Sequence, residues 1–209
     1  MRVLIALCLL GLSITLSAQT TLRTFGSEDG TFQFRYSPTL VHCTLQRAEK
    51  DEGSSWVPAD ACSSQEGICD DSASRATTIA CFAYPKGGLK DKPAFDAAAF
   101  FVAWVQSATT PKACFEGSQY WLIRNSESAT IGSVSARLFH ISDAWASGSQ
   151  DGDVYRVFHG QVCYELGIQE ANTNPGAFDP GSVKEFTKRD KSEVRARLKQ
   201  ALDSFTFSR

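Results

Sequence analysis

The chain has 209 residues, 43% of them hydrophobic and 21% charged, with a formal net charge of −2 and a pI near 5.9. That length has room for one domain with a sizeable core and not for two comfortable ones. A slightly acidic balance with scattered Lys and Arg argues against a nucleic-acid or anionic-membrane surface.

The chain opens MRVLIALCLLGLSITLSAQT. Arg2 supplies a positive start, Val3 to Leu16 an apolar run, and Ser17-Ala18 the small residues of a cleavage site. This pattern predicts a signal peptide over residues 1–18 and one domain over 19–209. The apolar run falls short of the roughly 20 residues that span a bilayer. The expected location is secreted or a bacterial periplasm, with no integral membrane segment after the leader is removed. Of the seven cysteines, Cys8 goes with the leader. Cys43, Cys62, Cys69, Cys81, Cys114 and Cys163 remain, an even number that predicts three disulfides in an exported protein. Zinc would favour close C-x₂-C spacings, which this chain lacks. The pairing stays open. Cys62–Cys69 suits a local staple, Cys43 and Cys81 both fall in predicted strands, and Cys114–Cys163 would complete the set.

Thr31 to Tyr36 alternates apolar and polar, the mark of a half-buried strand, and Val41 to Gln46 follows as a second. Residues 47–78 are Ser-rich and aperiodic, which predicts a disulfide-stapled loop insertion. Ile79 to Tyr84 reads as a third strand. The next segment, PAFDAAAFFVAWVQSA, is Ala-rich and apolar all round from Ala97 to Val105, with Asp91 as N-cap and Pro93 in the first turn. Those features predict a buried helix. Thr109 to Ser118 reads as loop, then Gln119 to Arg124 and Ile131 to Ile141 as strands. SDAWASGSQDG, residues 142–152, reads as a second conspicuous loop.

Gly152 to Gln169 reads as a hairpin turning at His159-Gly160. That turn would set Val157 opposite Val162, Tyr155 opposite Tyr164 and Arg156 opposite Cys163. One face would carry Tyr155, Val157, Val162, Tyr164, Leu166 and Ile168. The other would carry Val154, Arg156, Phe158, Gln161, Cys163 and Glu165, with Glu165 and Arg156 as a diagonal ion pair. Glu170 to Gly181 is a third loop, broken by Asn-Pro and Asp-Pro steps. Asp190 with Glu193 suggests a capping box, and Val194, Leu198, Ala201, Leu202 and Phe205 mark one stripe of a C-terminal helix. Its basic residues read as a solvated face, and SerPheThrPhe as a last short strand or tucked tail.

Chemistry-bearing motifs are sparse. No G-x-S-x-G elbow or phosphate loop occurs, and no cofactor is expected. With Ile141 opposite Val154, His140 would lie beside Tyr155, about 13 Å from His159 at the strand rise, too far to share one ion. No metal site is therefore assigned. Asp143, Asp151 and Asp153 bracket a Gly/Ser-rich stretch without calcium-loop spacing, and Trp145 beside them could anchor a ligand or plug the sheet. Asp143, Trp145, Asp151 and Asp153, with Trp56 in the insertion, are the candidate binding-loop residues, and no residue is assigned as catalytic. The expected function is a non-catalytic binding or interaction domain whose partner is a protein or envelope component. The alternative is a small metal-dependent hydrolase built around His140 and Asp143.

Four segments, Gly30-Thr-Phe-Gln-Phe-Arg-Tyr36, Ile131-Gly-Ser-Val-Ser-Ala136, Val154 to Phe158 and Leu202-Asp-Ser-Phe-Thr-Phe207, together resemble the PsbP-like family. The resemblance implies an α+β fold, a single antiparallel β-sheet flanked by helices on both faces (an α/β/α sandwich), in a family known mainly for binding.

Overall fold

The computed structural model describes residues 21–47, 54–57, 62, 68–69, 76–89, 94–116 and 123–208. Residues 1–20, with the expected signal peptide, and Asp91, Pro93 and most of the 47–78 segment lie outside them. The strands are β1 (Arg23–Gly26), β2 (Phe32–Tyr36), β3 (Val41–Arg47), β4 (Ser54–Val57), β5 (Ala76–Ala83) and β6 (Phe95–Val105). They continue with β7 (Ile123–Ile131), β8 (Val134–Trp145), β9 (Gly148–His159), β10 (Val162–Thr173) and β11 (Thr206–Phe207). Helix α1 is Pro111–Glu116 and α2 is Lys188–Asp203.

The described residues are mostly strand, in two sheets rather than one. A small sheet runs β1-β2-β11. A large antiparallel sheet runs β3-β5-β6-β10-β9-β8-β7, with the short β4 added beyond β3. This corrects the expectation of a single sheet with helices on both faces. The front face of the large sheet carries α2 and the small sheet together; among the described residues, the back carries the six-residue α1 and the segment around Cys62, Ile68 and Cys69.

The correction turns on Phe95–Val105. This segment is a central strand, paired with β5 on one side and β10 on the other. Ala98, Phe100 and Val102 enter the front core, and Ala97, Ala99, Phe101, Ala103 and Val105 the back core. A strand buried on both faces is apolar at every position, so it shows no period of two and imitates a buried helix. The alanines are there for thickness: small side chains let the thin back cover lie close to the sheet.

The β9–β10 hairpin keeps the expected faces but not the expected partners. Its two-residue loop is Gly160-Gln161, both at positive φ (56° and 65°), which matches the right-handed strand twist. Val157 lies opposite Tyr164 and Arg156 opposite Glu165. The register differs by two from the expected one, and side chains alternate with period two, so every residue keeps its face.

Residues 142–152 are not a loop. They belong to the long β8–β9 hairpin, which turns at Ala146-Ser147, with Ile141 opposite Gly152 and His140 opposite Asp153. The glycines that suggested a turn serve packing. A Cβ on Gly152 would come within 2.8 Å of the Ile168 carbonyl, and one on Gly148 within 2.8 Å of the Trp145 ring.

Three disulfides are present: Cys43–Cys62, Cys69–Cys81 and Cys114–Cys163. Only the last follows the suggested pairing. Cys43 and Cys81 do face each other across β3 and β5, but each reaches instead to a cysteine of the insertion. The local staple was the wrong guess because both insertion cysteines pin that segment to the sheet rather than to each other.

The helix α2 begins as a capping box. The Thr187 hydroxyl accepts from the Asp190 backbone N–H, and the Asp190 carboxylate accepts from the Thr187 N–H. The box therefore starts three residues before the Asp190 start that the sequence suggests. Val194, Leu198, Ala201 and Leu202 are buried as the stripe predicts, and β11 closes the chain against β2.

Candidate functional site

The residues singled out from the sequence are each engaged within the protein. Asp143 accepts a hydrogen bond from the Ala144 backbone N–H at 2.7 Å. Trp145 lies half-buried over Gly148, in the position of a plug at the end of the sheet. Lys191 of α2 donates to Asp151 at 3.0 Å and lies 2.6 Å from the buried Glu170. Burial pushes the Asp151 carboxyl up, but hydrogen bonds from Lys191 and Ser142 outweigh it and hold the group below the usual range. Arg195 contacts Glu170 at 3.1 Å and Asp153 at 3.3 Å. Two basic residues of α2 thus turn inward onto the sheet's acids, where the sequence suggested a solvated face. Trp56 contributes backbone to β4, opposite Leu45.

His140 is not paired with Asp143. Its Nδ1 is 2.7 Å from Asp153 Oδ1 and its Nε2 is 3.7 Å from Glu127. Along β8, Ala136 and Leu138 face the front core and Phe139 and Ile141 the back. By that alternation His140 and Asp143 point to opposite faces. Among the described residues, Cys43, Cys69 and Cys81 are close enough to share an ion, with ligand atoms within 4.8 Å of one another. All three sulfurs are bonded in disulfides, which cannot serve as thiolate ligands.

The back face of the sheet buries a charged pair. Arg156 and Glu165 are 2% and 0% exposed, with Arg156 Nε donating to Glu165 Oε2 at 2.8 Å and Nη2 2.7 Å from the same oxygen. Arg156 Nη1 also donates to the Cys114 carbonyl at 3.4 Å, which ties α1 to the hairpin. The sequence foresaw this ion pair; the register places it directly across the strands rather than diagonally.

The concave surface that sequence reasoning missed lies where the β1–β2 turn overhangs one end of the large sheet's front face. This groove has a volume of about 680 Å³. Its lining includes Phe25 and Asp29 from the overhang, and His42, Ile79, Trp104 and Tyr164 from β3, β5, β6 and β10. Ile79 and Trp104 are large apolar side chains left 44% and 43% exposed. The exposure of Ile79 has a local cause. The β5–β6 register shifts between Thr78 and Ala80, so Ile79 is the extra residue of a β-bulge and is turned out of the regular alternation. Trp104 continues the front-facing row of Ala98, Phe100 and Val102 past the edge of the core, where neither α2 nor the small sheet covers it.

His42 stacks on Phe82 at 4.7 Å between ring centroids and lies 5.2 Å from Phe25. Burial against these rings holds its pKa below the ordinary histidine value. Burial likewise raises the Tyr164 phenol, helped by the nearby Asp29 carboxylate. Hydrogen bonds from the Thr31 side chain and backbone, and from Ser27, lower Asp29 to about 2. No motif marks these residues because each comes from a different strand. No local signal marks Trp104 or Ile79 either: the first lies in an evenly apolar run, and the second is exposed by a bulge that only the β5–β6 pairing reveals.

No family model matches the chain, and no curated protein matches it. Among solved structures, a Pseudomonas aeruginosa protein of unknown function with a suggested regulatory role aligns over 76% of this chain and 95% of its own. It shares 11% identity at a TM-score of 0.35.

Proposed function

We propose that this protein is an exported, disulfide-stabilised, non-catalytic binding domain, and that its ligand occupies the groove beneath the β1–β2 turn. The observation that carries this reading is the pair Ile79 and Trp104, held half in water at the floor of a 680 Å³ groove. Exposed apolar side chains in a concavity of that size are the usual lining of a ligand site. Three disulfides fit an oxidising compartment. Among the described residues no helix is long and apolar enough to cross a membrane. Binding rather than catalysis also agrees in kind with what the PsbP-like resemblance implies. A hydrolase centred on His140 and Asp143 finds less support, since those side chains sit on opposite faces of β8 and each has another partner.

The test is a small-fragment screen of the isotope-labelled mature protein, followed by amide chemical shifts. The expected outcome is a set of saturable shifts centred on Phe25, His42, Ile79 and Trp104. Shifts confined to the β8–β9 hairpin, or hydrolytic turnover abolished by His140→Ala, would overturn the reading.

A further inference from the structure

We infer that the groove selects small cationic ligands with a flat apolar body, of the aryl-alkyl ammonium class. This deepens the proposed function and rests on it.

The first argument is charge. Among the described residues that line the groove, the acids are Glu28 and Asp29, and neither Lys nor Arg contributes. Asp29 stays ionised through the physiological range, because Thr31 and Ser27 hold its proton affinity down to about pH 2. The same carboxylate helps raise the nearby Tyr164 phenol, behind burial. His42, the one basic side chain in the lining, is held toward its neutral form by its aromatic neighbours. Among the described lining residues, a carboxylate or phosphate entering here would meet two negative charges and no Lys or Arg. An ammonium would meet two carboxylates at the rim and aromatic faces at the floor, both of which attract it.

The second argument is the shape and make-up of the floor. It runs across β10, β6, β5 and β3 rather than along any one of them. At the middle of the floor Trp104 pairs with Thr77 on β5 and with Tyr164 on β10, and Tyr164 pairs also with Val157 on β9. The middle of the floor therefore offers side chains rather than unpaired backbone, which suits a compact ligand better than an added strand. A volume of 680 Å³ is that of a site for one small molecule, within the roughly 300–1,000 Å³ of such pockets. The indole of Trp104, the Phe25 ring and the bulged Ile79 provide a surface on which a planar body can lie.

The experiment uses three probes of one size on the mature protein with its disulfides intact: 1-naphthylmethylammonium, 1-naphthylmethanol and 1-naphthoate. Each is titrated while the amide shifts of the labelled protein are followed. The ammonium should bind saturably at residues 25–29, 79 and 104, about tenfold more tightly than the naphthoate, with the alcohol between them. The Glu28→Gln/Asp29→Asn double variant should shrink that ratio toward one and leave the alcohol unchanged. Trp104→Ala should weaken all three. If the three probes bind the groove equally, the charge preference is wrong while the groove stands as a binding site. If none moves the groove residues in a protein whose spectrum is otherwise native, both this inference and the proposed function fall. If a lysine-containing aromatic peptide binds the same residues far more tightly than the ammonium, the small-molecule assignment is overturned.

Discussion

The two faces of the large sheet are covered in different ways. On the front, Phe32, Phe34, Phe82, Phe100 and Phe205 form an aromatic cluster beneath a 16-residue helix and a three-stranded sheet. Phe34 alone sits 5.0 to 5.2 Å from the rings of Phe25, Phe82 and Phe100, mostly edge-on. On the back, the sheet offers Ala97, Ala99, Ala103, Ala171 and cysteines to a six-residue helix and the insertion. A six-residue helix by itself buries too little apolar area to offset the entropy of ordering it. All three disulfides lie on that side, and the Arg156–Glu165 pair adds a polar tie to α1. Among the described residues, one face is held by aromatic packing and the other by smaller side chains together with covalent pins.

The sharpest way to break this contrast is to damage the front core. Phe34→Ala removes a ring that is 1% exposed and should cost about 4 kcal/mol, measured by urea unfolding of the oxidised protein. A loss near 1 kcal/mol would mean that the disulfides, not the aromatic cluster, dominate stability.

Removing a staple from the back should cost somewhat less. The double substitution Cys114→Ser/Cys163→Ser opens a bridge of sequence separation 49 and should cost about 3 kcal/mol. Hydrogen exchange should show the loss concentrated at α1 and the turn end of the β9–β10 hairpin, with α2 still protected. Uniform loss across both faces would erase the distinction drawn here.

The smallest expected effect lies at the start of α2. Thr187→Ala removes the hydroxyl half of the capping box and should cost about 1 kcal/mol. It should also change the acid limb. Hydrogen bonds from the Thr187 side chain and backbone hold the Asp190 carboxyl below its ordinary 3.8. Its stabilising contribution is therefore complete above that value and is lost as pH falls through the lower folded value. Stability curves measured between pH 5 and pH 2 should consequently be flatter for Thr187→Ala than for the parent.

The faces of individual strands were legible, though the architecture was not, because side-chain direction in a strand depends on parity. The β9–β10 partners were misjudged by two residues, yet Tyr155, Val157, Tyr164 and Leu166 were still placed on one face. The same shift of two in β8–β9 put Tyr155 beside His140 instead of Asp153, and there it mattered, because a hydrogen bond needs the actual neighbour. The groove was illegible for a related reason. Phe25, His42, Ile79, Trp104 and Tyr164 are far apart in the chain, and the bulge that exposes Ile79 is visible only in the pairing of β5 with β6.

The sequence alone determined what depends on local chemistry: the even set of cysteines, the alternation of β2, the two faces of the β9–β10 hairpin, and the buried stripe of α2. Tertiary structure decided the rest. Ala97 to Val105 is a strand because β5 and β10 pair with both of its edges and cores form on both of its faces. An evenly apolar segment carries no period of its own, so the state it adopts is set by the partners that satisfy its backbone. Cysteine pairing was decided the same way, by which sulfurs the folded sheet brought together.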